Sequence, residues 1–104
     1  MARTYSEAFL LELHKANPTR AGTALALACV KANLPAKYVA EALEVTRMTV
    51  FSWFRGKPIR HKNLLKVETL TDLIESDTAK GILPAKKVSE AKIYLEDMVG
   101  RKFN

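Results

Sequence analysis

The stretch PAKYVAEALEVTRMTVFSWFRGK, from Pro35 to Lys57, decides the fold of this chain. It predicts two short helices joined by a tight turn, because apolar residues recur at the spacing that turns one face of each helix inward. These apolar positions are Val39, Leu43, Val45, Val50 and Trp53. Thr46 can cap the second helix through its hydroxyl group. Gly56 can end that helix in the left-handed conformation that residues with a side chain resist.

This pattern resembles the helix-turn-helix of the Cro/repressor, or lambda-repressor-like, family over residues 20–76. The residues that carry the resemblance are Val39-Ala40, Leu43, Val45-Thr46-Arg47, Thr49-Val50, Trp53 and Gly56. The resemblance implies an all-α fold, with a five-helix lambda-repressor-like helix-turn-helix core and additional N- and C-terminal helices. It also implies double-stranded DNA as a partner.

The length and composition indicate a single globular domain, residues 1–104. We divide it into an N-terminal helix (1–18), the helix-turn-helix core (19–76) and a C-terminal helical extension (77–104). The single cysteine, Cys29, excludes an internal disulfide framework and, in its apolar setting, is expected in the core of a cytoplasmic, nucleoid-associated protein. No apolar stretch is long enough to span a membrane, and Glu7 and Glu12 argue against a signal peptide.

Helical spacing predicts about six helices and no strand. Outside the central stretch, they span residues 4–16, 20–32, 63–75 and 85–99. Thr4 with Glu7 predicts a capping box for the first helix, Asn17-Pro18 its end, and Thr19 a cap for the second. The second helix is apolar around most of its circumference, which is typical of a buried central helix. Leu64, Val67, Leu70, Leu73 and Ile74 are expected to face inward, and Ser76-Asp77-Thr78 could cap or start a turn.

The net charge of +6 is confined to one window of the chain. Between Val45 and Val67 there are six basic residues and no acidic one, whereas the remaining 11 basic and 11 acidic residues cancel. The six are Arg47, Arg55, Lys57, Arg60, Lys62 and Lys66. Such a cluster is the expected electrostatic footprint of a polyanion-binding surface, and its coincidence with the helix-turn-helix favours nucleic acid over an ordinary solvated surface.

A helix-turn-helix places its second helix in the DNA major groove. The predicted DNA-binding residues are therefore Arg47, Met48, Thr49, Phe51, Ser52, Arg55, Lys57, Arg60 and Lys62. Arg47 is the candidate for direct readout, because a guanidinium group can donate two hydrogen bonds to guanine. Met48 and Phe51 could contact a thymine methyl group, and Thr49 and Ser52 a phosphate or base edge. Lys57, Arg60 and Lys62 are expected to contact phosphates.

The sequence departs from the family pattern in three respects. Glu44 stands where the family has glycine in the turn, and Pro35 and Ala36 replace a polar anchor for which Lys37 could substitute. Met48, Phe51 and Phe54 place large apolar groups on or beside the face that should meet the groove. Such a surface is typical of protein interfaces, unless Phe54 and Phe51 pack against other helices of the chain.

Two functions follow from these features. The first is a small DNA-binding protein, a bacterial or phage transcriptional regulator. The alternative is a protein–protein module on a helix-turn-helix scaffold, for instance a structural subunit of a phage or other large assembly, in which case it belongs in the virion. A homo-oligomer is compatible with both, and Tyr94, Leu95 and Met98 could form its interface or a lid over the core. No catalytic motif, metal-ligand spacing, cofactor motif or small-molecule site is recognisable, so we do not expect an enzyme.

Overall fold

The computed structural model describes residues 5–17 and 20–103, and the regular secondary structure of this part of the chain is entirely α-helical, with no strand. Its six α-helices are α1 (Glu7–His14), α2 (Ala21–Ala32), α3 (Ala36–Leu43), α4 (Arg47–Phe54), α5 (His61–Ala79) and α6 (Val88–Val99). The predicted all-α class is confirmed. None of these helices is both long and apolar enough to cross a membrane.

Helix α2 lies at the centre of the fold, as its apolar pattern predicted. It packs against α1, α4 and α5, and Leu25, Ala26 and Cys29 are completely buried. Burial raises the pKa of the Cys29 thiol, which therefore stays protonated as a core residue. A left-handed residue, Asn33, ends the helix, and its side-chain amide donates to the Ala85 carbonyl at 2.8 Å.

Helix α6 packs over the core beside α3. Of the two roles considered for the C-terminal helix, the structure therefore shows the lid over the core. Ala91 and Leu95 are fully buried, and the Tyr94 hydroxyl donates to the Asp77 carboxylate at 2.5 Å. The helix ends at Gly100 as predicted, but it begins at Val88 and not at Ala85. Val88 was expected on the inward stripe and is exposed, because it occupies the first helical position, ahead of the buried turn.

Helix α1 begins later than the sequence pattern suggested. Its cap is Ser6, whose Oγ accepts from the Phe9 backbone N–H at 3.2 Å, so the prediction of Thr4 as the cap is wrong. Thr4, Pro18 and Thr19 lie outside the described residues. Pro35, expected at the first position of α3, is instead the residue that caps it.

Helix α5 is longer than predicted at both ends. Ser76-Asp77-Thr78 neither caps nor turns the chain but belongs to the helix, where the Thr78 hydroxyl donates to the Ile74 carbonyl at 2.8 Å. Leu73 was expected to face inward and is 45% exposed. The inner face of α5 is rotated towards Thr71, which can be buried because its hydroxyl donates to the Val67 carbonyl at 2.8 Å.

Helices α2 and α4 approach so closely that their backbones touch. A Cβ atom added at Gly22 would lie 2.8 Å from the carbonyl carbon of Trp53 and closer still to its oxygen. Real Cβ atoms do not approach backbone atoms this closely, so a side chain at this position would push α4 away from α2. Gly22 therefore sets the distance between the central helix and the second helix of the helix-turn-helix.

We expect Gly22→Ala to destabilise the protein by about 1–3 kcal/mol, because the added methyl group overpacks a rigid backbone contact. Helix propensity alone predicts the opposite sign, a gain of about 1 kcal/mol for alanine over glycine inside a helix. Urea denaturation followed by circular dichroism measures the difference. Gly81→Ala is a separate comparison: nothing lies within 4 Å of its Cβ position, but its φ of +80° strains any residue with a side chain, so it reports backbone strain without a clash. A stabilised Gly22→Ala variant would contradict the contact.

Candidate nucleic-acid interface

The turn between α3 and α4 has a left-handed residue where the resembled family has glycine. Glu44 adopts φ 60° and ψ 43°, and the Val45 N–H donates back to the Ala40 carbonyl at 3.0 Å. Thr46 then caps α4, as predicted: its Oγ1 accepts from the Thr49 N–H at 3.1 Å. These contacts fix the direction in which α4 leaves the turn.

The C-terminal end of α4 is likewise followed by a left-handed residue. Gly56 has φ 95°, and the Lys57 N–H donates to the Ser52 carbonyl at 3.1 Å. The prediction that Gly56 ends the helix in the left-handed region is therefore confirmed. The Arg20 guanidinium donates to the Gly56 carbonyl at 3.1 Å, which attaches the start of α2 to this end of α4. Sequence analysis did not single out Arg20, because nothing in its own segment points to Gly56.

Helix α4 has one buried and one outward face. Val50 and Trp53 are buried, as predicted, and so is Phe54. At the leading end Arg47 is exposed and Met48 is 82% exposed. Thr49 is half-buried, with its hydroxyl 2.8 Å from the Thr46 hydroxyl. Towards the other end, Ser52 is half-buried and Arg55 is exposed.

A cluster of four aromatic rings packs the N-terminal part of the chain against the second half of α4. The ring of Phe54, only 1% exposed, lies 6.3 Å from that of Tyr5 and 5.9 Å from that of Phe9. The half-buried Phe51 packs edge-on against Phe9 at 5.8 Å. Of the two alternatives left open, packing against other parts of the chain is the one observed for Phe54, and Phe51 is partly covered by Phe9 of α1. Of the three large apolar groups, Met48 alone stands fully outward.

Tyr5 anchors this aromatic cluster to the core. Its hydroxyl donates to the Leu34 carbonyl at 2.5 Å, and its ring stacks on Phe9 with centroids 5.3 Å apart. Burial raises the pKa of Tyr5, so the hydroxyl keeps the proton that it donates. Sequence analysis missed Tyr5, because it precedes the first predicted core residue of its helix.

The cations that follow α4 are all exposed. Arg55 and Lys57 flank Gly56, Arg60 caps α5, and Lys62 lies in the first turn of α5. Within residues 5–17 and 20–103, none of the six cations of the basic window lies within ion-pair distance of a carboxylate; the ion pair found there joins Arg101 and Glu44 at 4.0 Å. The positive end of the α5 dipole adds to their field.

The interface thus has two parts. The leading end of α4 carries Arg47, Met48 and Thr49, and the cationic end carries Arg20, Arg55, Lys57, Arg60 and Lys62. Eight residues of helix separate Arg47 from Arg55, which corresponds to about 12 Å along the axis. Lys37, considered as a substitute polar anchor, lies at the start of α3 with its ammonium 5.6 Å from the Tyr38 ring centroid. The described residues contain no group of three His, Cys, Asp or Glu side chains suited to a metal ion.

No protein-family model, curated protein or solved structure matches this chain. Only the geometry and charge of the site itself therefore point to a function.

Replacing Glu44 by glycine should stabilise the protein by about 0.5–1 kcal/mol. A left-handed residue with a Cβ costs about 1–2 kcal/mol, and the greater flexibility of unfolded glycine offsets part of the gain. The lost ion pair with Arg101 counts for little, because both side chains are largely exposed. Thermal and urea denaturation measure the effect.

The matched control is Asn33→Gly, at the other left-handed residue with a side chain in the described chain. That side chain is buried and donates to Ala85, so its removal leaves a buried carbonyl without this donor. We expect this variant to be less stable than the parent protein. Equal effects at the two positions would contradict the assignment of strain to Glu44.

Proposed function

We propose that this protein is a small helix-turn-helix DNA-binding protein, a transcriptional regulator of bacterial or phage type. The observation that carries the proposal is the exposed leading end of α4, held outward by a capped left-handed turn and followed by exposed cations without carboxylate partners in the described chain. A polyanion could bind these cations without breaking any internal ion pair.

The finer fold assignment is part of this proposal. We assign α2 to α5 to the lambda-repressor-like helix-turn-helix core, with α1 as the additional N-terminal helix and α6 as the additional C-terminal helix. The support is the order of the helices and their packing: α2 contacts α4 and α5, and α3 contacts α4 and α6. The left-handed turn between α3 and α4 also supports it.

In the proposed complex, the leading end of α4 enters the major groove of double-stranded DNA. Arg47 donates two hydrogen bonds to O6 and N7 of a guanine, and Met48 contacts a neighbouring thymine methyl group. Thr49 and the accessible edges of Ser52 and Phe51 lie further along the same helix. Arg55, Lys57, Arg60 and Lys62 bind phosphates and fix the position of the protein without reading sequence, and Arg20 joins them.

The alternative, a protein–protein module, depended on an apolar surface made of Met48, Phe51 and Phe54. Phe54 is buried, and Phe51 packs against Phe9 and Phe54, which leaves Met48 as its one fully exposed member. This reduces the support for a subunit of a large assembly that binds its neighbours through α4. DNA binding is therefore the function that the site supports better.

A fluorescence-anisotropy titration with a random duplex tests the proposal. If about five phosphates are neutralised, the slope of log affinity against log salt should be roughly −4 to −5. Lys57→Ala and Arg60→Ala should each reduce the magnitude of the slope by about 0.9. Lys86→Ala, which removes an exposed cation of the loop before α6, is the charge-matched control and should leave it unchanged. Absent binding, or an affinity indifferent to salt, would refute the proposal.

Arg47→Ala should relax sequence preference more than it weakens binding to random duplex. The loss of a bidentate guanine contact costs about 1–3 kcal/mol of discrimination at one base pair. Selection of binding sites from a random duplex library, with the parent protein and the variant side by side, measures this preference. If the variant selects the same bases with the same stringency, Arg47 does not read the sequence.

A further inference from the structure

One large apolar side chain occupies the middle of the outward face of α4. The opposite face carries the buried residues Val50, Trp53 and Phe54. Met48 lies on the far side of the helix from these three, in line with Ser52 and Arg55 at i + 4 and i + 7. Its exposed fraction is 82%, the highest among the large apolar residues of the described chain. The packing of this chain therefore gives no reason for an apolar residue at this position.

The residues around Met48 on this face are polar or cationic. Arg47 precedes it and Arg55 lies two turns further on, both exposed, with the half-buried Ser52 between them. One exposed methionine is too small an apolar surface for the core of a specific protein interface, which buries about 800 Å² on each partner. The arginines, by contrast, are the side chains that bind phosphates and guanine edges in DNA.

The hydroxyl groups of the first turn of α4 are engaged with each other. The Thr46 Oγ1 accepts from the Thr49 N–H at 3.1 Å and lies 2.8 Å from the Thr49 hydroxyl. The groups that this turn presents for contact with bases are therefore mainly the Arg47 guanidinium and the Met48 thioether chain. The thioether chain has no hydrogen-bond donor and its surface is mainly apolar, so it is suited to an apolar group on a base.

We propose that Met48 is a specificity-determining residue that reads the C5-methyl group of a pyrimidine, so that the site accepts thymine or 5-methylcytosine and discriminates against unmethylated cytosine. The inference rests on the proposed function, in which the leading end of α4 enters the major groove. Thymine carries its C5-methyl group in that groove, and 5-methylcytosine carries the same group on the same ring atom. Burial of one such group against the thioether chain corresponds to about a fourfold gain in affinity.

This assignment makes the methylation state of the DNA a control on binding. Because 5-methylcytosine pairs with guanine as cytosine does, methylation adds a contact for Met48 without altering the pairing or the phosphate contacts. The unbranched, flexible side chain of methionine can follow a methyl group on either base. We therefore expect tighter binding to a methylated site than to the same site without the methyl group, with the same dependence on salt.

Four duplexes that differ at one base test the reading of the methyl group. A site selected with the parent protein from a random duplex library is prepared with thymine, uracil, cytosine or 5-methylcytosine at the position where the parent prefers thymine, each with its complementary base opposite. Fluorescence anisotropy of the full chain should show about fourfold weaker binding to uracil than to thymine, and about fourfold tighter binding to 5-methylcytosine than to cytosine. The two members of each pair differ by the methyl group alone.

Met48→Gln tests whether this side chain is responsible. Glutamine keeps the length and helix propensity of methionine but ends in a polar amide, so both differences should fall below about twofold with the salt dependence unchanged. Met48→Leu stays apolar and should retain both. Leu65→Gln is the matched control, since Leu65 is 74% exposed on α5, outside the proposed interface, and should leave both differences at the parental values. Circular dichroism verifies that each variant is folded.

A parent protein that binds DNA in a salt-dependent manner, but with equal affinities within each pair of duplexes, would overturn this inference and leave the proposed function standing. Selection that yields no preferred base would have the same consequence. So would a Met48→Gln variant that keeps both parental differences, because another group would then read the methyl. A parent protein without affinity for any duplex would refute the proposed function and this inference with it.

Discussion

The contact on which the site depends is the approach of two backbones, at Gly22 in α2 and Trp53 in α4. A side chain at such a crossing could change rotamer, but a helical carbonyl group cannot move without disturbing its own helix. The contact therefore holds α4 at one distance from the central helix. With Val50 and Trp53 turned into the core beside it, the leading end of α4 must point away from α2.

The aromatic cluster of Tyr5, Phe9, Phe51 and Phe54 covers part of the second half of α4 and leaves its first turn accessible. The four rings lie within 6.3 Å of at least one neighbour, and aromatic pairs of this kind contribute about 0.5–1.5 kcal/mol each beyond the area that they bury. Because α1 covers the second half of α4, a ligand of any kind meets mainly the first turn and the cations beyond Gly56. The N-terminal helix thus shapes the candidate interface as well as stabilising it.

The features predicted correctly from the sequence are those that depend on residues close together in the chain. The cap at Thr46, the left-handed Gly56 and the buried Val50 follow from local spacing and backbone preferences, whereas the left-handed Glu44 follows from the family pattern that the stretch resembles. Features that depend on distant segments were missed or misplaced. From the sequence alone, Gly22 is expected to destabilise an alanine-rich helix. Its role follows only from its close contact with the Trp53 backbone.

The same limit explains why the orientation of Phe54 on α4 stayed open and why that of Leu73 on α5 was wrong. Phe54 contacts Phe51 within its own stretch, but its burial also depends on Phe9 of α1, which lies 45 residues earlier. Leu73 fits an inward helical stripe as well as Thr71 does, and hydrophobicity alone favours the leucine. A threonine can take the buried position because its hydroxyl bonds to its own helix, so the spatial fit to α2 decides the orientation.

The C-terminal tail shows how the chain tolerates a glutamate in a turn that favours glycine. The Glu96 carboxylate accepts from the Phe103 N–H at 2.7 Å, and the Phe103 ring stacks on Tyr38 of α3 at 6.2 Å. This geometry brings the Arg101 guanidinium to the Glu41 carbonyl, which also accepts from the Glu44 N–H at 3.3 Å. The Ala40 carbonyl is taken by Val45. The backbone around the left-handed Glu44 is therefore fixed by Val45 within the turn and by Arg101 from the C-terminal tail. These contacts offset its conformational cost of about 1–2 kcal/mol.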